Sequence, residues 1–195
     1  TVLDLFLADP SDFYRKPLLF TLQSLGGVEV AEALHQKCFE NDLLKADMPE
    51  EVLDCLVWLE YPPTEALLIR NYENKTLDHG GHFSLCMGLL HYSGATYQEM
   101  YIREVEKCIG KGIFDNEFAP ALVCRVDSPK REELLEKLYH SGKTYTSTDC
   151  NGGIVLGLAL SGTRGEELFR QLLWDEHWEA YGGGTGTDAL TYVGL

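Results

Sequence analysis

The sequence predicts an α+β fold: a ferredoxin-like βαββαβ C-terminal unit, packed with a related N-terminal α/β unit that bears extra helices. Three observations predict it. Tyr145 to Leu160 (Tyr-Thr-Ser-Thr-Asp-Cys-Asn-Gly-Gly-Ile-Val-Leu-Gly-Leu-Ala-Leu) reads as a β-hairpin turning at Asn151-Gly152, residues that tolerate the positive φ of a type I′ turn. Helical periodicity flanks that hairpin on both sides, and a fainter hairpin turns at Gly80-Gly81. Finally, Ser93 to Tyr101 aligns without a gap on Ser161 to Phe169, sharing Ser, Gly and Glu and pairing Met with Leu and Tyr with Phe.

The N-terminal part, residues 1–112, reads as a helical and hairpin unit. Thr1 to Ala8 is apolar enough for a short helix or an edge strand, and Asp9-Pro10-Ser11-Asp12 is turn chemistry. Pro17 suits the first turn of a helix carrying Leu18, Leu19, Leu22 and Leu25, which Gly26-Gly27 ends. A second helix places Val30, Ala31, Leu34 and Cys38 on one face. Asp47-Met-Pro-Glu50 has the spacing of a capping box and starts a helix burying Val52, Leu53, Leu56 and Leu59, stopped by Pro62-Pro63. Ala66 to Tyr72 and Phe83 to Tyr92 read as the strands of the first hairpin. A helix from Thr96 to Ile109 follows, with Tyr101, Val105, Cys108 and Ile109 on one stripe.

Residues 113–120 read as a connector, and residues 121–195 as the βαββαβ unit. Its strands are Ala121 to Asp127, Thr144 to Asp149, Ile154 to Leu160 and Ala189 to Val193. One helix opens at Ser128-Pro129 and buries Leu134, Leu135, Leu138 and Tyr139. The other starts near Thr163 and buries Leu168, Phe169, Leu172 and Leu173.

Apolar residues make up 45% and charged residues 24%, which argues for a folded core. The formal net charge is −15 and its acids are spread along the chain, so nucleic acid is excluded as a ligand and a basic protein partner is favoured. Six isolated cysteines without a C-x-x-C point to reduced thiols and a cytoplasmic setting. No apolar run approaches the roughly 18 residues of a membrane span, and no signal-peptide pattern opens the chain.

Four features invite a chemical reading. His79-Gly-Gly-His82, with Asp78 before it and His91 later, offers too few converging ligands for a metal site with its supporting shell. Cys150 lies beside Asp149, with His140 ending the preceding helix, but the aspartate opposes thiolate formation and turn geometry already explains Cys-Asn-Gly-Gly. The loop Gly182 to Asp188 follows a helix, precedes a strand and lacks the lysine of a phosphate loop. Glu132-Glu133, Glu166-Glu167 and Asp175-Glu176 suit solvated helix faces, with Glu166 able to pair with Arg170.

No cofactor is implied and no catalytic residue is assigned. The alternative is a small enzyme or ligand-binding protein with its pocket between the two units, using metal at His79 and His82 or thiol chemistry at Cys150. The favoured reading is a non-catalytic module, of a toxin-neutralising (immunity-type) or inhibitor kind, that binds a basic partner. Its contact residues would be Trp174, Asp175, Glu176, Trp178, Glu179 and Tyr181, an aromatic stripe at i, i+4 and i+7 ringed by acids on the last helix.

Overall fold

Between residues 64 and 74 the buried side chains include Thr64, Leu67, Leu68, Asn71 and Tyr72. That is the i, i+3, i+4, i+7, i+8 spacing of a helix, and this segment, expected as a strand, is helical. The same correction recurs along the chain. The structure is a computed structural model that describes residues 1–8, 11–74, 85–86, 88–92, 95–110, 118–142 and 151–175. They are mostly helical and do not form the ferredoxin-like βαββαβ unit; the one sheet among them is a two-stranded antiparallel hairpin. The chain divides into two compact units, Thr1–His91 and Tyr92–Leu195.

In the first unit, α1 (Val2–Ala8), α2 (Asp12–Leu25) and α3 (Val28–Cys38) lead to strands β1 (Phe39–Glu40) and β2 (Leu43–Leu44), then α4 (Glu51–Trp58) and α5 (Thr64–Asn74). Ser11, in extended backbone, begins α2 by accepting the N–H groups of Tyr14 and Arg15 at 3.1 and 3.0 Å. Pro17 therefore lies inside α2 and not in its first turn. Gly26, at φ 71°, ends the helix, its N–H donating to the Leu22 carbonyl. The capping box expected before α4 does not form: Glu50 occupies the cap position without a side-chain cap bond. The Asp47 carbonyl instead accepts from the buried Arg15 guanidinium.

The hairpin turns at Asn41-Asp42, both at positive φ (51° and 63°) as a type I′ turn requires, with Phe39 opposite Leu44 and Glu40 opposite Leu43. Asn71 of α5 holds it in place. Its Oδ1 accepts the Leu44 N–H at 2.9 Å, while Nδ2 donates to the carbonyls of Asp42 (3.0 Å) and Leu67 (2.8 Å). The core around these elements includes Phe6, Leu34, Leu53, Leu56, Leu67 and Leu68, all essentially without solvent contact. Each such side chain contributes roughly 1.5–3 kcal/mol through burial. The expected return strand Phe83 to Tyr92 is also corrected, since residues 85–86 and 88–89 are helical with Leu85, Cys86, Leu89 and Leu90 buried. The Gly80-Gly81 turn lies outside the described residues.

In the second unit a short 3₁₀ turn (Ala95–Tyr97) precedes α6 (Gln98–Cys108), and a longer one spans Ala119–Arg125. Helices α7 (Lys130–Gly142), α8 (Asn151–Ala159) and α9 (Gly162–Leu172) follow. Ala121 to Asp127 is thus not a strand: Pro120 lies in the first turn of a 3₁₀ stretch whose residues Ala119 to Cys124 are all buried. Nor is Asn151-Gly152 a hairpin turn, because it opens α8. The run Ile154 to Leu160, expected as a strand, is helical through Ala159, with Ile154, Val155, Leu156 and Leu158 buried. A helix apolar on every side satisfies itself by being enclosed, and α8 packs against the 3₁₀ stretch, α7 and α9.

Two glycines, Gly157 of α8 and Gly165 of α9, permit that enclosure. A Cβ at Gly157 would stand 2.8 Å from Val123 Cγ1 and 3.0 Å from the Pro120 carbonyl oxygen. Gln98 closes the other side of the 3₁₀ stretch, its Nε2 donating to the Arg125 carbonyl (2.8 Å) and its Oε1 accepting the Asp127 N–H (2.6 Å). The helix after Ser128-Pro129 stands as expected, with Leu134, Leu135, Leu138 and Tyr139 buried. Among the described residues no helix is long and apolar enough to cross a membrane. Thr144 to Asp149 and Ala189 to Val193 lie outside the described residues.

Candidate protein-interaction surface

Helix α9 carries Leu168 and Leu172 inward, with Phe169 and Leu173 half-buried. It ends at Leu172, before the aromatic stripe expected to continue it. The next N–H groups bond three or four residues back: Leu173 to the Phe169 carbonyl at 3.1 Å, Trp174 to Gln171 and Asp175 to Leu172 at 3.2 Å each. That tightened last turn leaves Trp174 86% exposed. Asp175 is half-buried, and its Oδ2 accepts the Tyr139 hydroxyl of α7 at 3.1 Å. Of the six expected contact residues, Trp174 and Asp175 are therefore adjacent on one turn. Glu176, Trp178, Glu179 and Tyr181 lie outside the described residues.

The acids nearby are largely matched by cations. Arg170 meets Glu166 at 2.5 Å, and Arg164 bridges Glu136 of α7 and Glu167, the latter at 2.7 Å. Lys137 binds Glu133, and that bond holds the Glu133 carboxyl below its usual range. Exposed and paired, these carboxylates sit on helix faces and not in a cleft, as expected.

Several chemical candidates fall outside the described residues: Asp78, His79, His82, Asp149, Cys150 and the loop Gly182 to Asp188. His91 is exposed. His140 is 68% exposed, 3.8 Å from Glu136 and edge-on to the Tyr139 ring. Cys38, Cys55, Cys86, Cys108 and Cys124 are buried thiols outside any disulfide. Burial pushes the Cys38 thiol up to about 12 and those of Cys55 and Cys124 up to about 11, so at neutral pH they are protonated. Among the described residues no three His, Cys, Asp or Glu side chains converge as metal ligands would.

Two arrangements escaped the sequence reading. His35 joins Asp42 (Nε2 to Oδ1, 3.2 Å) and Tyr61 (Nδ1 to the hydroxyl, 3.1 Å). It ties the hairpin turn to the loop before α5; three residues from three segments carry no local motif. The other is aromatic: Phe13 and Phe20 of α2 and Trp58 of α4 are each about two-thirds or more exposed. Its signal was present, since α2 holds more apolar residues than one buried stripe can use.

These features define a mainly helical, strongly acidic chain with solvent-facing aromatic side chains. Comparison with protein-family models, with curated proteins and with solved structures finds no match in any of the three.

Proposed function

We propose that the chain is an acidic, non-catalytic protein-binding module that engages a basic protein partner, as a toxin-neutralising or inhibitor protein does. The observation that carries this reading is Trp174, a tryptophan almost fully open to solvent beside an acid held in place by Tyr139. Trp is the residue that most often anchors an interface, and exposing it unpartnered has no folding benefit. The net charge of −15 supplies the steering field for a basic partner. Cysteines isolated in the sequence without a C-x-x-C suit a cytoplasmic setting.

Stopped-flow fluorescence at low salt tests the reading, using a labelled basic amphipathic peptide and a counterpart with every Lys and Arg replaced by Glu. Association confined to the basic peptide, slowed about tenfold by combined lysine substitution of Asp175, Glu176 and Glu179, is the expected result. Indifference to both peptide charge and the three substitutions overturns it.

A further inference from the structure

Lys16, Phe20 and Gln23 follow one another at i, i+4 and i+7 on α2, and Glu51, Asp54 and Trp58 at i, i+3 and i+7 on α4. The first five of these, with Leu19, line a groove of about 130 Å³ between the two helices. A cavity of about 150 Å³ holds a benzene molecule, so the groove has room for one branched aliphatic or slim aromatic side chain. Leu19 is buried and forms an apolar floor, whereas Phe20 is 67% exposed and stands as a wall. Trp58, 69% exposed, lies one turn beyond Asp54 on the α4 stripe.

The charges of the groove do not balance. Lys16 is ion-paired with Glu51, while Asp54 has no ion pair among the described residues. Although much of the residue meets solvent, crowding of water away from its carboxyl, helped by Glu51, holds Asp54 above the usual carboxylate range. The attraction of a cation brought to this carboxylate would offset both effects. A second copy of the chain, itself at −15, brings the wrong charge.

We propose that the α2–α4 groove is a docking site for a basic amphipathic helix of a partner protein, which seats one apolar side chain on Leu19 against Phe20 and places a Lys or Arg on Asp54. Helix-in-groove recognition lays the apolar face of an amphipathic helix into such a groove. The Gln23 amide closes the site with a donor NH2 group and an acceptor oxygen for the incoming chain. The proposal rests on the protein-binding reading but places a contact on the first unit, away in sequence from Trp174.

The test is amide chemical-shift mapping of the full chain, titrated with the basic amphipathic peptide and repeated with Phe20→Ala and Asp54→Asn. Both positions are exposed, and circular dichroism checks that each variant is folded. Expected are shifts at Leu19, Phe20, Gln23 and Asp54 in the unsubstituted chain, with affinity reduced about tenfold in either variant. Shifts confined to residues near Trp174 overturn the groove and leave the binding module standing. No shift anywhere overturns both, and a concentration-dependent dimer abolished by Phe20→Ala overturns it in favour of self-association.

Discussion

Gly165 of α9 lies so close to Leu158 of α8 that a Cβ at its position would stand 2.2 Å from the Leu158 carbonyl oxygen and 2.7 Å from Ser161 Cβ. Backbone, not a flexible side chain, occupies the space, so the two helices meet only because residue 165 has no side chain. Gly165→Ala should destabilise the second unit by about 2 kcal/mol or more, lowering its Tm by about 10 °C. Thermal unfolding followed by circular dichroism measures this, and an unchanged Tm would show that the crossing is looser than described.

Asn71 satisfies a buried N–H and two carbonyls with one amide, which no other side chain of its size reproduces. Asn71→Ala should cost about 2 kcal/mol in urea unfolding, because the Leu44 N–H loses its acceptor. Hydrogen exchange at Leu44 should accelerate in the same variant.

Asp54 has a folded-state pKa raised above its ordinary 3.8, so the folded chain holds this proton more tightly than the unfolded one. The carboxylate therefore costs stability above its folded pKa, and the cost vanishes as pH falls below about 3.8. Asp54→Asn should raise the urea midpoint slightly at pH 7, with the gain shrinking to nothing in acid. A gain that persists in acid would have another origin.

Cys38, Cys55 and Cys124 titrate well above the ordinary thiol value of 9.0 in the folded chain. Their contribution to stability is complete below pH 9 and is lost as pH rises toward 11–12, where the unfolded thiols ionise first. Iodoacetamide labelling at pH 8, read by peptide mass spectrometry, should spare all three until urea unfolds the protein. Rapid labelling of Cys38 in the native state would contradict its burial.

The amphipathic helices were legible because their polar and apolar residues alternate with a period that the chain can satisfy in one way. α3 with Ala31, Leu34 and Cys38, and α7 with Leu134, Leu135, Leu138 and Tyr139, bury the stripes their spacing implies. The misread segments are short and rich in aliphatic residues. Ile-Val-Leu-Gly-Leu-Ala-Leu has no polar residue to mark a face, so its pattern fits a buried strand as well as a buried helix. Asn-Gly and Gly-Gly drew attention as turns, while the observed hairpin turns on Asn41-Asp42 between two-residue strands too short to show alternation. Trp174 was legible as an aromatic among acids; its exposure was not, since that depends on where α9 ends.

By itself the sequence determined composition-level properties and one-dimensional periodicities: a strongly acidic chain, six cysteines without a C-x-x-C, and amphipathic helices such as α3 and α7. The tertiary structure decided what the apolar runs became. α8 is a helix because Pro120 to Val123, α7 and α9 enclose it on all sides, and glycines at 157 and 165 let their backbones approach. It also decided that Phe20, Asp54 and Leu19 share one groove. Burial is a property of what packs around a segment, and residues far apart in the chain supply it.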